Sequence, residues 1–227
     1  MNQAPQIVLK NKNFIVINKP IGMPSQSDTT GDRDAMTVLS EFLTSLEEPS
    51  ALWLIHRLDR NVGGLLVFAR NKKSAAELSE KIQYGAFVKK YFAVCHGKPS
   101  EGEYTDYLYK DSSTSKSYVV KTKRMGAKEA CLDLSLVASN GEMSAVSVTL
   151  HTGRFHQIRA QLSSRGNSLV GDKKYGSKDA LCRTPALFAY SLSFEIFGEK
   201  ISVSALPDMN EYPWNIFSQE IQNAIEE

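Results

Sequence analysis

The segment His56–Arg60 (HRLDR) concentrates ionisable side chains between two apolar runs, Ala51–Ile55 and Gly64–Ala69. Polar residues that follow a rigid strand often face the rim of a cleft, where they can meet a ligand. The two arginines of the segment favour an ionised Asp59, because nearby positive charge stabilises a carboxylate. The pair Gly63-Gly64 permits unusual backbone angles or the close approach of a ligand. A surface loop with an arginine–aspartate salt bridge explains the same residues without any chemistry.

A second segment of polar residues is His151–Arg159 (HTGRFHQIR). The spacing predicts a helix that starts at Thr152-Gly153, continues to about Ser164 and is closed by Gly166. On such a helix His156 and Arg159 share a face, and the backbone donors at its N-terminus suit a phosphate or carboxylate. The alternative is an ordinary amphipathic helix whose apolar residues point inward.

The third segment is Val88–Val94 (VKKYFAV), which has the period-two pattern of a strand. Lys89 and Tyr91 then face one side and Lys90 faces the other. Tyr91 could stack on a base or place its hydroxyl near a carboxylate. A tyrosine of the core is the alternative.

The elements that must position these segments are mostly short strands. Asn11–Asn13 and Asn140-Gly141 predict hairpin turns. Asp34–Leu46 and Lys72–Gln83 predict amphipathic helices, the second capped by Asn71 and ended by Gly85. The remaining predicted elements are strands over Gln6–Leu9, Phe14–Ile17, Ala51–Ile55, Gly63–Ala69, Phe87–Cys95, Tyr104–Tyr109, Ser117–Lys121, Ala130–Val137, Ser144–Leu150, Leu187–Phe197 and Ile201–Ala205, and a terminal helix over Ile216–Ile225. Neighbouring strands joined by short turns run antiparallel, so we predict an α+β fold with a mainly antiparallel central sheet and flanking helices.

The composition agrees with a folded protein: 42% of the 227 residues are apolar and the net charge is only +2. The basic residues cluster at Lys89-Lys90, Lys121–Arg124 and Lys173-Lys174, which is compatible with a nucleic-acid partner. Three widely spaced cysteines, Cys95, Cys131 and Cys182, predict buried free thiols in a reducing compartment and no structural zinc site. With no signal peptide or apolar run of about 18 residues, we predict a cytoplasmic protein.

Together the three segments resemble the RluA-type RNA pseudouridine synthases. That family combines an H-R-L-D motif, a K-x-Y strand, a G-R-T-H-Q-[IL]-R helix and a G-D-x-x-Y-G segment. The matching stretches here are His56–Asp59, Lys89–Tyr91, Gly153–Arg159 and Gly171–Gly176. The opening segment Asn18–Pro24 and the late segment Arg183–Leu187 are also similar to the family's pattern, and the resemblance spans roughly Phe14 to Pro207.

The resemblance implies isomerisation of uridine to pseudouridine in rRNA or tRNA, without a cofactor or metal, in a single catalytic domain over residues 1–227 (core about 6–207) with a central active-site cleft. It implies that Asp59 is the essential carboxylate, nucleophile or base, that Arg159 pairs with it, and that Tyr91 packs on a flipped-out base. The implied substrate-binding residues are His56, Arg57, Leu58, Lys89, Lys90, Arg154, His156, Gln157 and Ile158. We further expect a monomer, no domain of the S4 kind before Phe14, and phosphate contacts from Lys173 and Lys174.

Some residues depart from the family pattern. Val62 and Gly63 stand where the family has Thr-Ser, Phe155 replaces the Thr of G-R-T-H-Q, and Phe188 replaces the His of a late L-H-A. These changes indicate an offshoot subfamily and leave RNA choice open. Because of these changes, an alternative function stays open: a catalytically inactive RNA-binding protein on the same scaffold. A second alternative is a nucleoside or glycoside hydrolase, which would need a second carboxylate near Asp59, such as Asp106 or Asp172.

Overall fold

The computed structural model describes residues 6–226 and contains strands, helices and short 3-10 turns. The strands are β1 (Gln6–Lys10), β2 (Phe14–Lys19), β3 (Trp53–Leu54), β4 (Gly63–Ala69), β5 (Val88–His96), β6 (Gly102–Asp111), β7 (Lys116–Val120), β8 (Ala127–Ser139), β9 (Met143–Leu150), β10 (Leu187–Ile196) and β11 (Glu199–Ser204). The helices are α1 (Ala35–Ser45), α2 (Lys72–Gln83), α3 (Gln157–Ser164) and α4 (Ser218–Glu226), with 3-10 turns at Lys173–Tyr175 and Trp214–Phe217. The predicted α+β class with a mainly antiparallel sheet and a few helices is confirmed.

The chain divides into two compact units, residues 1–88 with 189–205 and residues 89–188 with 206–227. In the first unit the strand order is β1-β2-β4-β10, with β3 paired to β4 and β11 paired to β10. The core of this unit combines buried residues of these strands with Leu78 of α2 and Phe87. Phe87 stacks on Phe194 with ring centroids 4.8 Å apart, and Phe14 meets Phe194 edge-on at 5.3 Å.

In the second unit the strands form the antiparallel order β5-β9-β8-β6-β7. Helix α3 covers one face of this sheet, where Ala160 packs against Leu108 and Ala130. Helix α4 contacts β8. These packed helices bury the apolar side chains of alternate strand positions, which accounts for the predicted period-two patterns.

Side-chain caps fix the starts of two predicted helices. Asn71 accepts a hydrogen bond from the Ser74 N–H at 2.8 Å, and Asp34 accepts one from the Thr37 N–H at 3.0 Å. The predicted cap at Asn71 is confirmed, and α2 begins at Lys72 as predicted. Asp34, predicted as the first residue of α1, is instead its N-cap, so α1 begins one residue later. The first predicted hairpin turn is also present, since the Asn11 side chain accepts from the backbone N–H groups of residues 13 and 14.

Three predictions need correction. The predicted buried strand Ala51–Ile55 is reduced to the two half-buried residues of β3. The helix predicted from Thr152-Gly153 begins only at Gln157, because His156 takes a left-handed backbone conformation with φ of +53°. The three cysteines are free, as predicted, but only Cys95 is fully buried, whereas Cys131 and Cys182 are half-buried. Among residues 6–226, no helix is both long enough and apolar enough to cross a membrane.

Candidate active site

Asp59 lies on a tight turn that leads into the fully buried strand β4. The Val62 N–H donates to the Asp59 carbonyl at 3.0 Å and closes this turn. Just before it, the Leu58 N–H donates to Ser25 Oγ at 3.0 Å, while the Ser25 hydroxyl donates back to the Leu58 carbonyl at 2.9 Å. The half-buried carboxylate is therefore carried by a backbone that is fixed on both sides.

The other residues of the predicted motif are either packed against the protein or exposed to solvent. His56 Nε2 accepts a hydrogen bond from the Val67 N–H at 3.3 Å, and its ring lies 5.6 Å from that of Phe87. Leu58 is buried, whereas the Arg57 side chain is exposed. His56 and Leu58 thus tie the motif to the core of the first unit, and Arg57 is open to a ligand.

Lys19, the last residue of β2, is a buried cation that interacts with Asp59 and that the sequence reasoning did not single out. It is fully buried, and its Nζ donates to the carbonyls of Pro20 (2.9 Å), Met23 (2.7 Å) and Arg60 (3.3 Å). Burial lowers the pKa of Lys19 to about 8, although the negative charge of Asp59 acts to raise it. Lys19 therefore supplies the first unit with a desolvated, mostly protonated cation that interacts with Asp59. The signal was present in the Asn-Lys-Pro opening segment.

Arg60 does not have the role expected from its position beside Asp59. Its guanidinium forms ion pairs with Asp28 and Asp32 and a hydrogen bond with Thr30. Hydrogen bonds from Thr30 and Arg60 lower the pKa of Asp28 to about 2. The loop over residues 28–32 folds back onto Arg60, a contact between distant segments that the local sequence does not encode. In this unit, the charge on Asp59 is thus countered by Lys19 rather than by an Arg60 ion pair.

In the second unit, Arg159 is buried and held by the equally buried Asp172. Arg159 Nε donates to Asp172 Oδ2 at 2.7 Å and Nη2 donates to Oδ1 at 2.9 Å. The guanidinium carbon also lies 5.0 Å from the ring centre of Tyr175. Asp172 and Tyr175 are the aspartate and tyrosine of the Gly-Asp-x-x-Tyr-Gly segment. The sequence reasoning considered Asp172 only as a second hydrolase carboxylate and missed it as the partner of Arg159.

The loop before α3 is organised by Gln157, which is buried. Gln157 Oε1 accepts from Thr152 Oγ1 at 2.7 Å and from the Arg154 N–H at 3.0 Å, and Nε2 donates to the Cys131 carbonyl at 3.0 Å. These bonds replace the helical turn predicted there, so Phe155 and His156 precede α3 instead of sharing a helical face with Arg159. Ile158, also predicted for the site, is buried.

His156 is held in a neutral form. Burial, together with the positive charges of Arg159, Lys174 and Lys110, lowers the pKa of His156 to about 3. Its Nδ1 lies 3.0 Å from the Tyr175 hydroxyl, and its ring stacks on Phe155 with centroids 3.8 Å apart. Histidine ordinarily titrates near neutral pH, but this imidazole does not exchange a proton there.

The strand β5 carries the remaining predicted residues. Lys89 and Tyr91 are buried on it, whereas Lys90, on the other face, is exposed. Burial lowers the pKa of Lys89, and Lys89 Nζ lies 4.0 Å from the position that a Cβ would take at Gly153. Lys89 thus places a partly desolvated positive group beside the loop that precedes α3. The other cation of this loop, Arg154, donates from Nε to the Glu129 carbonyl at 2.7 Å.

The predicted residues fall into two sets. His56, Arg57, Leu58 and Asp59 belong to the first unit, while Lys89, Lys90, Tyr91 and residues 154–159 belong to the second. Each set is brought together within its own unit by the contacts above. The first offers a fixed carboxylate, and the second offers cations, a buried tyrosine and a neutral imidazole.

The sequence of this chain is similar to those of known RNA-modifying proteins. A family described as RNA pseudouridylate synthase matches residues 13–164. An uncharacterised RNA pseudouridine synthase of Zymomonas mobilis is 32% identical over 90% of this chain and 94% of its own length. The ribosomal large subunit pseudouridine synthase C of Rickettsia felis is 29% identical over 88% of this chain, which spans 66% of that relative's length.

Solved structures support the fold. Human RNA pseudouridylate synthase domain containing 4 superposes with a TM-score of 0.77 at 24% identity, over 96% of this chain and 93% of that chain. Human RNA pseudouridylate synthase domain containing 1 superposes with a TM-score of 0.76 at 20% identity, over 98% of this chain and 95% of that chain. The predicted pseudouridine synthase-like fold is confirmed, and so is the expected class of enzyme, an isomerase that modifies RNA, at the level of the family. The chain belongs to the RNA pseudouridylate synthase family.

Proposed function

We propose that this chain isomerises uridine to pseudouridine in structured RNA, and that Asp59 is the essential carboxylate. The observation that carries this proposal is the fixed presentation of Asp59, half-buried on a turn whose backbone is bonded to Ser25 and Val62. An ionised group that is already rigid can stabilise charge at the reacting sugar without reorganising during the reaction.

The reaction exchanges one glycosidic bond for another. The N1–C1′ bond of the uridine breaks, the uracil turns, C5 bonds to C1′, and the C5 proton is lost while N1 gains one. Asp59 would act either as a nucleophile at the sugar or as a base. Atoms and electrons balance within the nucleotide, so the proposed reaction calls for no cofactor and no metal.

Arg159 and Tyr91 are proposed as the other residues at the reacting nucleotide. The bidentate bond from Asp172 supports this role for Arg159, because it fixes a buried guanidinium that could pair with the Asp59 carboxylate. Tyr91 is buried on a strand, which suits a ring that packs against a uracil and a hydroxyl that later exchanges a proton.

Binding of the RNA would use the other predicted residues. A uridine in folded RNA must leave its stack, at a cost of a few kcal/mol. The exposed Arg57 could fill the vacated space or hold a phosphate. Lys89, Lys90 and Arg154 would bind phosphates, while His56, Leu58, His156, Gln157 and Ile158 would shape the pocket walls.

The substrate is proposed to be rRNA or tRNA, with rRNA supported by the printed name of the Rickettsia felis relative. We also propose that the protein acts in the cytoplasm as a monomer with a single catalytic domain. Mapping pseudouridines in total RNA from cells with and without the gene would identify the modified position.

The test of Asp59 is tritium release from transcripts that contain [5-³H]uridine. Wild-type protein should release tritium, and Asp59→Asn should abolish release while keeping a wild-type unfolding transition. Asp208→Asn is the matched control, since Asp208 is exposed and only accepts hydrogen bonds within its own turn. Retained activity in Asp59→Asn would refute the role given to this carboxylate.

A catalytically inactive RNA-binding protein would behave differently from the proposed enzyme. It would bind transcripts, yet the pseudouridine maps of cells with and without the gene would be the same. Release of free uracil would instead indicate hydrolysis. Either result would refute the proposed isomerisation.

A further inference from the structure

Basic side chains of the second unit are concentrated at one end of its sheet. Residues 110–128, from the end of β6 to the start of β8, contain six basic side chains and one acidic side chain. At the other end of the same strands, Glu103 pairs directly with Asp133. The basic side chains are therefore concentrated at one end of these strands, and two acidic side chains face each other at the other end.

The strand register brings two of these cations to the face covered by α3. Lys128 pairs with Leu108, and Leu108 packs against Ala160 of α3. Lys110 lies two residues beyond Leu108, so its side chain is on the same face. The Lys110 Nζ then sits 4.7 Å from the centre of the Phe155 ring.

Two further cations are held by backbone carbonyls: Arg154, the neighbour of Phe155 in the chain, and Lys174, which acts on the pKa of the adjacent His156. Lys174 Nζ donates to the Ser115 carbonyl at 2.9 Å, and Arg154 Nε donates to the Glu129 carbonyl at 2.7 Å. Phe155 is fixed as well, because the Ser117 hydroxyl donates to its carbonyl at 2.5 Å. We name Lys110, Lys128, Arg154 and Lys174, together with Phe155, the Phe155 cluster.

The cations of the cluster are not neutralised by ion pairs. Within residues 6–226, none of its four cations forms an ion pair with a carboxylate. Their field is felt by His156, whose pKa is lowered in part by Lys174 and Lys110. Uncompensated cations at fixed positions attract a polyanion, and each phosphate contact releases counterions from the nucleic acid.

The Phe155 ring is already occupied by two side chains and leaves little room for a base. Lys110 Nζ lies 4.7 Å from its centre, and the His156 ring stacks on it at 3.8 Å. A base could stack there only by displacing the lysine. The cluster therefore fits phosphates, which carry no sequence information, better than nucleobases.

We propose that the Phe155 cluster is a docking surface for the sugar–phosphate backbone of the RNA substrate, outside the nucleotide that is isomerised. This proposal rests on the proposed function, and it adds Lys110 and Lys128 to the residues expected to bind RNA. It also gives a role to Phe155, which replaces the family's threonine: the ring holds Lys110 in place.

Binding can be measured without turnover, so the test separates this proposal from the catalytic one. The probe is a fluorescein-labelled 40-nucleotide RNA hairpin that contains uridines, titrated by anisotropy at several salt concentrations. All variants are made in the Asp59→Asn background. Lys110→Gln with Lys128→Gln should raise Kd about 10-fold or more at 0.1 M salt and lower the slope of log Kd against log salt by about 2.

The matched control removes two lysines of the same unit outside the cluster, Lys98→Gln with Lys178→Gln, both exposed. This control should bind like the parent protein. A charge-keeping pair, Lys110→Arg with Lys128→Arg, should also bind like the parent, and it reports on folding. If Lys110→Gln with Lys128→Gln binds the hairpin with the same Kd and the same salt slope as the control variant, the docking surface is refuted. This outcome does not depend on whether Asp59 is the catalytic carboxylate.

Discussion

The Arg159 guanidinium is bound by both oxygens of the Asp172 carboxylate, and both side chains are buried. A bidentate pair fixes the plane of the guanidinium as well as its position. In the second unit, Asp172 is thus a positioning residue for the arginine that we expect to act on the Asp59 carboxylate.

Asp172→Asn should reduce both stability and activity. The amide has only one acceptor oxygen and leaves the buried guanidinium without its counter-charge. Breaking a buried ion pair in this way lowers the free energy of unfolding by about 3–5 kcal/mol. Urea unfolding would measure this loss. Arg165→Lys is the control, because the Arg165–Asp106 pair is more exposed and should be worth under about 1 kcal/mol. An equal loss in both variants would contradict the assignment.

Gly64→Ala should prevent stable folding of the first unit. Gly64 has φ of +113°, and a Cβ there would lie 2.3 Å from the Ala189 carbonyl oxygen and 2.6 Å from its nitrogen, both backbone atoms that cannot move cheaply. Gly85→Ala is a matched control, since Gly85 also has positive φ (+74°) but open space around its Cβ position. The control should lose only about 1 kcal/mol of backbone strain. Comparable midpoints of thermal unfolding for the two variants would refute this explanation of the Gly63-Gly64 pair.

Elements defined by local signals were predictable from the sequence. The cap at Asn71 and the alternation along β5 depend on residues a few positions apart, so both predictions are confirmed. The start of α3 was missed because Gln157 bonds to Thr152, to the Arg154 backbone and to Cys131, which replaces a helical turn with a loop. The spacing of apolar residues, from which the helix was predicted, carries no information about such side-chain hydrogen bonds.

The charge partners in the site were less predictable than its elements. Sequence proximity associated Arg60 with Asp59, but the structure directs the Arg60 side chain to Asp28 and Asp32. Lys19 is 40 positions from Asp59 along the chain and reaches its neighbourhood because β2 pairs with β4. Which charges meet is decided by strand pairing and loop folding, and neither is contained in the spacing of the motif.

Lys19 should make wild-type stability rise with pH relative to Lys19→Met. Its pKa is about 8 in the folded protein and near 10.5 when exposed. Between these values the unfolded chain binds more protons than the folded one, so unfolding becomes less favourable as pH rises. The wild type should gain at most about 3 kcal/mol over Lys19→Met between pH 7 and pH 11. Denaturant unfolding at unit steps of pH measures this difference, and a constant difference would show that Lys19 is not desolvated.

His156 should make the folded protein sensitive to acid without titrating near neutral pH. Its pKa is about 3 in the folded state and about 6.5 when exposed, so the unfolded chain takes up a proton at His156 that the folded chain refuses. The contribution of neutral His156 is therefore complete above pH 6.5 and is lost as pH falls toward 3. His156→Gln, which removes this proton uptake, should lose less stability than wild type between pH 7 and pH 4.

The pH profile of tritium release tests the same property in the working enzyme. Since His156 is already neutral throughout the range from pH 5 to pH 8, wild type and His156→Gln should have profiles of the same shape, even if their rates differ through lost contacts with Tyr175 and Phe155. An inflection near pH 6.5 that is present in wild type and absent from His156→Gln would show that the imidazole is protonated in the folded protein. That result would also imply that the cations around it, Arg159, Lys174 and Lys110, exert a weaker field than their positions predict.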